Sequence, residues 1–425
     1  MSLSSALSTA VSGLTAQSLA LAAISENIAN SSTTAYKTKE VDFQSLVTGA
    51  MGSAKSTSSV VAKSSQALNV GGVISSTATS TNVAIDGSGF FVVSAHPGDA
   101  SSDLVYSRNG SFSTDADGYL VNSEGYYLQG LPTDSDGNIL ASNASDLSNL
   151  EAINFNSIGG TAKATANVSM AANLPADATT GQSFTTSMEV IDSLGVSHTV
   201  GQSWTKTGDN TWSLALADPT LTSDAATTSG VISPSTVTVT FNTDGSLAST
   251  DPSPVAIGIT GFSTGAADSA ITLDLGAAGG TDGLTQFAST SSTLSITPTF
   301  EQDGANYGEL SGVTIDANGL VTANFDNGVS LAIYQIPVAT FSNAGGLTHV
   351  SGTVYDENTN AGQVHVNLPG DGSSGTLVAS ALEGSTTDIA TEFNKMIIAQ
   401  QAYSAASQVI TTTKGMFDTL IQAVR

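Results

Sequence analysis

Cysteine is absent from these 425 residues, and charge is scarce: Lys and Arg number 10, and charged residues of both signs make up 11% of the chain, against roughly 25% in an ordinary soluble domain. Without a thiol there is no disulfide framework, no thiolate metal site and no cysteine nucleophile. So few basic residues exclude the clustered Lys and Arg that neutralise phosphates, so nucleic acid is not an expected partner. The four histidines, His96, His198, His349 and His365, lack metal-site spacing, and no Gly-Lys-Ser/Thr phosphate loop occurs. No uninterrupted apolar run reaches the roughly eighteen residues of a membrane span, so membrane insertion is not expected. The first residues have no basic stretch ahead of a compact apolar run, so no cleaved secretory signal is expected. Cofactors, metals and a catalytic centre are all expected to be lacking.

What takes the place of charge is Ser, Thr, Gly, Ala and Asn, on a net charge of -26. Residues 1–63 and 385–425 together hold seven basic and six acidic residues, a net +1; the middle holds three against thirty, a net -27. Near-neutral ends suit close packing of many copies, and an acidic middle suits a solvated, self-repelling surface.

Both ends carry an apolar repeat of seven. It runs through Leu7, Leu14, Leu21 and Ile28 at the start, and through Ile389, Met396, Tyr403, Ile410, Phe417 and Val424 at the end, with Phe393 and Leu420 beside it. This spacing predicts two long amphipathic helices with a coiled-coil period, one from about Ser4 to Asn30 and one from Asp388 onward. An isolated helix is marginal in water, so these stripes need a partner: the opposite terminus, or the termini of other copies.

Between the ends the pattern changes. Residues 31–71 and 361–384 read as extended connectors. From Asn82 short runs rich in Val, Phe and Tyr are punctuated by Asp86-Gly87, Asn109-Gly110, Asp117-Gly118 and Glu124-Gly125, the signature of antiparallel hairpins. Val83–Ile85 and Phe90–Val93 are predicted to pair as one of them. The expected architecture is mixed and nested: a terminal helical core domain (1–30 plus 385–425) with a coiled-coil-like seam, the connectors, an inner antiparallel β domain (72–150 plus 312–360), and an inserted outer β domain (151–311).

Two patterns invite chemistry. Asp115, Asp134, Asp316 and, more loosely, Asp244 open Asp-x-Asp/Asn-Gly-like loops, but the acid expected at position twelve of a calcium loop is missing, and hairpin turns account for them better. Gly261-Phe262-Ser263-Thr264-Gly265 fits the nucleophile-elbow pattern, yet Ile271–Leu275 alternates like a strand where a helix is required.

The ends also carry motifs. Asn27-Ile28-Ala29-Asn30 followed by Thr33-Thr34-Ala35-Tyr36-Lys37 resembles the N-terminal signature of bacterial flagellar rod and hook axial proteins, with Ala35 where the family usually has Gly. Leu382-Glu383-Gly384 and Met396 to Tyr403, including Gln400, resemble the family's closing helix, with Gln401 in place of its usual Arg. Tyr106 to Gly130 and Leu284 to Ser289 are similar to its β domains, and the long insert fits the hook branch better than the rod branch. The resemblance implies a structural subunit of a curved, hollow hook at the distal basal body, outside the cell, acting as a universal joint. It implies a homo-polymer meeting the distal rod protein, a hook cap, a hook-filament junction protein and the flagellar type III export apparatus. A distal-rod-like axial protein, or a secreted acidic surface-layer or adhesin protein, is the alternative.

Overall fold

The structure, a computed structural model, describes residues 3–48, 57–98, 104–141, 145–156, 158–290 and 293–423. They form two compact units, one drawn from Met1–Ile158, Val313–Ala323 and Leu331–Arg425, the other from Gly159–Gly312 and Asn324–Ser330.

The first unit contains both long helices, α1 (Leu3–Ala29) and α2 (Ile389–Ala423). Their ends are set by polar caps. Thr33 Oγ1 donates to Asn30 Oδ1 (3.1 Å) just past α1, and the Asp388 carboxylate accepts from Thr391 N–H (2.8 Å) to open α2, a bond that holds Asp388 below the usual carboxylate range. The helices pack antiparallel, with Asn27 on Glu392 at one end and Tyr403 beside Leu14 and Thr15 farther along. Small buried residues of α1, Ala16, Ala20 and Ala23, lie on the same face as Ile24, while α2 buries Glu392, Ala399 and Thr413.

Leu7–Ala29 has a mean hydropathy of 1.4 and by length and composition is apolar enough to cross a membrane, although it holds no uninterrupted apolar run of that length. Polar residues interrupt every continuous run, but Ala and Leu dominate the average. In the fold this helix packs on α2 and on the hairpin described next.

The expected connector at 31–71 is instead largely a ladder. Strands β1 (Lys39–Thr48) and β2 (Thr57–Gln66) pair antiparallel from Lys39↔Gln66 to Thr48↔Thr57. Ser and Thr, read as linker composition, tolerate a pleated surface well when every second residue is apolar, as at Val41, Phe43 and Val60. The 361–384 segment is likewise not a connector: Val364–Asn367, Thr376–Ala379 and Ala381–Glu383 are strands of the β body. Thr376–Ala379, not Phe90–Ser94, pairs with Val83–Asp86. The predicted local hairpin fails because Gly89 (φ 134) turns the chain away and brings it against Val338, where a Cβ would meet Val338 Cγ1 at 2.2 Å. Phe90–Ser94 then becomes a central strand buried on both faces, with Phe91 and Val93 in one core and Phe90 and Val92 in another.

The second unit has a seven-stranded and a six-stranded sheet sharing one core. Its longest strand, Ser197–Gly208, alternates strictly, so His198, Val200, Gln202, Trp204 and Lys206 all point inward. Trp204 and Trp212 are fully buried, and the Trp212 indole N–H donates to Gln286 Oε1 (3.2 Å).

The Asp-rich turns share one geometry. Asp115 Oδ1 accepts from the N–H groups of Asp117 (3.0 Å) and Tyr119 (2.8 Å), and Asp134 and Asp316 repeat the pattern two and four residues on. One carboxylate oxygen is thus spent on the turn's own backbone.

After Phe262 the chain turns and continues into the strand Ser269–Asp274, so no nucleophile elbow forms. A Ser-His-Asp grouping exists nearby with a different serine. His198 Nδ1 lies 2.6 Å from Ser229 Oγ and its Nε2 2.9 Å from Asp192 Oδ2, which also accepts from Thr264 Oγ1 (2.7 Å). Ser229 Oγ donates to Pro219 O (3.1 Å), and Ser229, His198 and Asp192 have no solvent exposure. This is a core tie between four segments, closed to any substrate.

Burial pushes the Asp192 carboxyl up, but the bonds from His198, Thr264, Val196 N–H and Leu194 N–H outweigh it and hold it below the ordinary range. Asp192→Asn, which weakens the hydrogen bonds a buried carboxylate accepts, should cost the second unit about 1.5–3 kcal/mol near neutral pH. A depressed folded value means stabilisation that is complete above the free Asp value near ~3.9 and lost as pH falls through the folded one. The gap between wild type and variant should narrow in acid. Tryptophan fluorescence during urea unfolding checks this in the whole chain, since both tryptophans sit in that core.

Candidate functional site at the paired chain ends

Where α1 gives way to the β body, and where the body returns to α2, the two chain ends are laced together. Ala35 N–H donates to Glu383 O (2.8 Å), Thr386 N–H to Tyr36 O (3.0 Å), and Thr38 N–H to Thr386 Oγ1 (2.9 Å). Ala35 makes its bond in the left-handed region (φ 58) although it carries a Cβ and is fully buried. The geometry that usually favours glycine is thus kept here by an alanine.

Two polar clusters flank this lacing. In the first, Asn27 is a fully buried side chain with every group used: Nδ2 donates to Glu392 Oε2 (3.0 Å) and Lys39 O (2.9 Å), while Oδ1 accepts from Lys39 N–H (2.8 Å) and Tyr36 Oη (3.1 Å). Burial, aided by Glu26, pushes the Tyr36 phenol up to about 12, so it stays a donor. Glu392 also accepts from Lys395 Nζ (2.7 Å).

In the second, Glu383 is one buried carboxylate between two buried cations. Lys37 Nζ donates to its Oε1 (2.5 Å) and to Val70 O (2.7 Å), Gly72 N–H donates to the same Oε1 (2.6 Å), and Arg108 Nη1 lies 3.5 Å from Oε2. Arg108 also donates from Nη2 to Gly87 O (2.8 Å) and stacks 5.2 Å from the Phe90 ring centre. Burial pulls both the Lys37 ammonium and the Arg108 guanidinium below their usual values, against the opposing pull of Glu383.

Asn27, Tyr36, Lys37 and Glu383, chosen from sequence, thus meet in space. Asn30 and Thr33 cap α1, Leu382 is half-buried beside the cluster, and Gln400 is solvent-exposed. Leu7, Leu14, Leu21, Ile28, Met396, Ile410 and Phe417 are half-buried along the helices. Ile389, Phe393 and Tyr403 are exposed in the protomer, while the most buried row of α2 runs through Glu392, Ala399 and Thr413. The Leu420 side chain and Val424 lie outside the described residues. Sequence reasoning missed Glu392, Arg108 and Gly72. The signal for Glu392 was present, an acid one heptad before Ala399, whereas Arg108 and Gly72 are joined to the cluster only by folding.

Family models match four stretches of the chain. Residues 7–37 match the family described as flagella basal body rod protein, and residues 84–182 the flagellar hook protein FlgE/F/G D1 domain. Residues 154–305 match the flagellar basal body protein FlaE D2 domain, and 378–423 the flagellar basal body rod FlgEFG protein C-terminal family. The flagellar hook protein FlgE of Rhizobium meliloti (strain 1021) is 31% identical over 435 residues, spanning 100% of both chains. The chain belongs to the flagellar hook protein family. The hook protein FlgE of Escherichia coli (strain K12) is 28% identical over 98% of this chain and 99% of its own. The crystal structure of Helicobacter pylori flagellar hook protein FlgE2 aligns with 73% of this chain and 100% of its own at 14% identity and a TM-score of 0.47. Hook-family proteins are structural, and both of the polar clusters above hold chain segments together rather than presenting groups to a substrate.

Removing the Glu383 charge leaves Lys37 and Arg108 buried without a counter-ion, so Glu383→Gln should cost the first unit about 3–5 kcal/mol. Adding Lys37→Met to that variant removes one orphaned charge and should return part of the loss. Hydrogen-exchange protection of β-body amides, measured on wild type and both variants, checks the order.

Proposed function

We propose that this chain is the repeating subunit of the flagellar hook, a curved hollow helical tube that serves as a universal joint passing torque from rod to filament. The observation that carries the reading is the helix pair itself. After α1 and α2 have packed on each other, α2 still exposes Phe393 (50%), Ile397 (52%), Ile398 (66%) and Val409 (47%), a row of large apolar side chains that a lone protomer leaves in water. Neighbouring copies are the partners that would bury it, forming a coiled-coil-like inner tube. In that tube the terminal helices form the core domain, so that the chain ends lie inside.

By the same reading the tube lies outside the cell, its subunits arrive through the flagellar type III apparatus, and its ends meet the distal rod protein, a hook cap during growth, and a hook-filament junction protein. The acidic middle of the chain favours surfaces that slide past one another rather than adhere. Bending requires this, because each row of subunits in a rotating curved tube shortens and lengthens once per turn.

Electron microscopy of basal bodies from a source strain lacking this chain should show rods without hooks; normal flagella would sink the reading. Phe393→Glu, on an already exposed position, should melt like wild type as a monomer yet abolish polymerisation measured by light scattering.

A further inference from the structure

At the laced end of the helix pair there is an open groove of about 390 Å³. Its floor is apolar, made by Ala20 and Ile24 of α1, Val41 and Phe43 of β1, and Ile398 and Ala399 of α2. Its rim carries both signs on two sides, with Lys39, Glu40 and Asp42 on the strand and Lys395, paired with Glu392, on the helix. At the other end of the pair lies a projection. Counting 24 residues back from Asn27 reaches Leu3, and 24 forward from its partner Glu392 reaches Met416. Among the described residues, α2 therefore runs on from Phe417 to Ala423 with no α1 residue beside it, and Met416 (54%) and Ile421 (63%) are exposed there.

We propose that the end of α2 in one copy seats in this groove of the next copy, a head-to-tail contact that propagates along the polymer. The proposal rests on the reading of the chain as a polymer subunit and assigns the joint to named surfaces. Its logic is geometric. A groove is not filled by the same groove of a second copy, so a self-matching two-fold contact leaves it empty; a projecting apolar element fills it. The α2 end is such an element on the same chain, and a contact between two different surfaces of one chain repeats without closing. The charges are compatible: the α2 end carries Lys414 and Asp418 one turn apart, and the rim, with Glu40 and Asp42 among the acids and Lys39 and Lys395 among the bases, has a partner of opposite sign for each.

Because the chain has no cysteine, a pair can be introduced cleanly. Val41→Cys lines the groove and Ile421→Cys lies on the projection. The double variant, polymerised and then oxidised, should run as a ladder of covalent multimers on a denaturing gel, whereas each single variant yields dimers at most. Polymers that form without a ladder overturn the socket while leaving the hook reading intact; a wild-type chain that never polymerises overturns both. Ile421→Asp gives a second test that does not depend on cross-linking. It should raise the concentration needed for assembly more than tenfold while monomer helicity by circular dichroism stays unchanged, and assembly at the wild-type concentration overturns the proposal.

Discussion

The arrangement of both chain ends depends on one buried carboxylate. Glu383 is the nearest anion to Lys37 and Arg108, and its main-chain oxygen takes the N–H of Ala35. Two cations and one anion in a dry site are costly unless the geometry is good, and the chain meets that condition in part with backbone groups, Gly72 N–H on the carboxylate and Val70 O and Gly87 O on the cations, while Arg108 Nε and Nη1 and Glu383 Oε2 are buried without a hydrogen-bond partner. Because these groups come from five separated stretches, the cluster forms only when the whole base of the helix pair is in place. Residues some 350 positions apart in sequence then leave the β body side by side, and an antiparallel pairing of α1 and α2 follows with a register fixed by Asn27 on Glu392.

The two ends of the energy scale sit in different parts of the molecule. The β cores are dry and aromatic, with edge-to-face contacts such as Tyr106 on Phe341 at 4.8 Å and Phe91 on Phe112 at 5.6 Å. The helix seam, by contrast, fully buries chiefly alanines, Ile24, a threonine and an acid, while its leucines and other large apolar side chains are only half-buried. A helix pair held this lightly draws most of its stability from its anchor and from whatever covers its exposed side. That is the economy expected of an assembling element: folded enough to present a surface, unsatisfied enough to need a neighbour.

The sequence announced some of this and concealed the rest for definable reasons. Helices were legible because their period persists over many turns, and Asn27, Tyr36, Lys37 and Glu383 because motif resemblance points at them. Which apolar positions face the other helix and which stay exposed, as Ile389, Phe393 and Tyr403 do, was not legible, because the two kinds of face are equally apolar and periodicity does not tell them apart. The β1–β2 hairpin was read as linker because its Ser and Thr carry no strong strand signal and its pairing is decided by the helix lying along it. Arg108 and the buried His198–Asp192 tie were hidden altogether, because their partners are set by long-range topology and no local spacing marks them.

The rigidity of the base bears on where a bending tube would find its compliance. Residues 31–38, the start of the stretch expected to be an extended connector, are instead held by backbone bonds to 383–386 and by the buried Lys37–Glu383 ion pair, and the following stretch is a ladder. A joint laced in this way transmits torque between helix pair and β body without yielding. In a polymer of such subunits the deformation must then be taken up at the contacts between copies. Those surfaces are suited to it: the net charge of the middle of the chain, -27, keeps adhesion weak at the ranges that matter in salt, while the apolar helix faces keep the copies from separating. Stiff modules with soft, self-repelling outer contacts and a sticky inner seam bend freely and twist little.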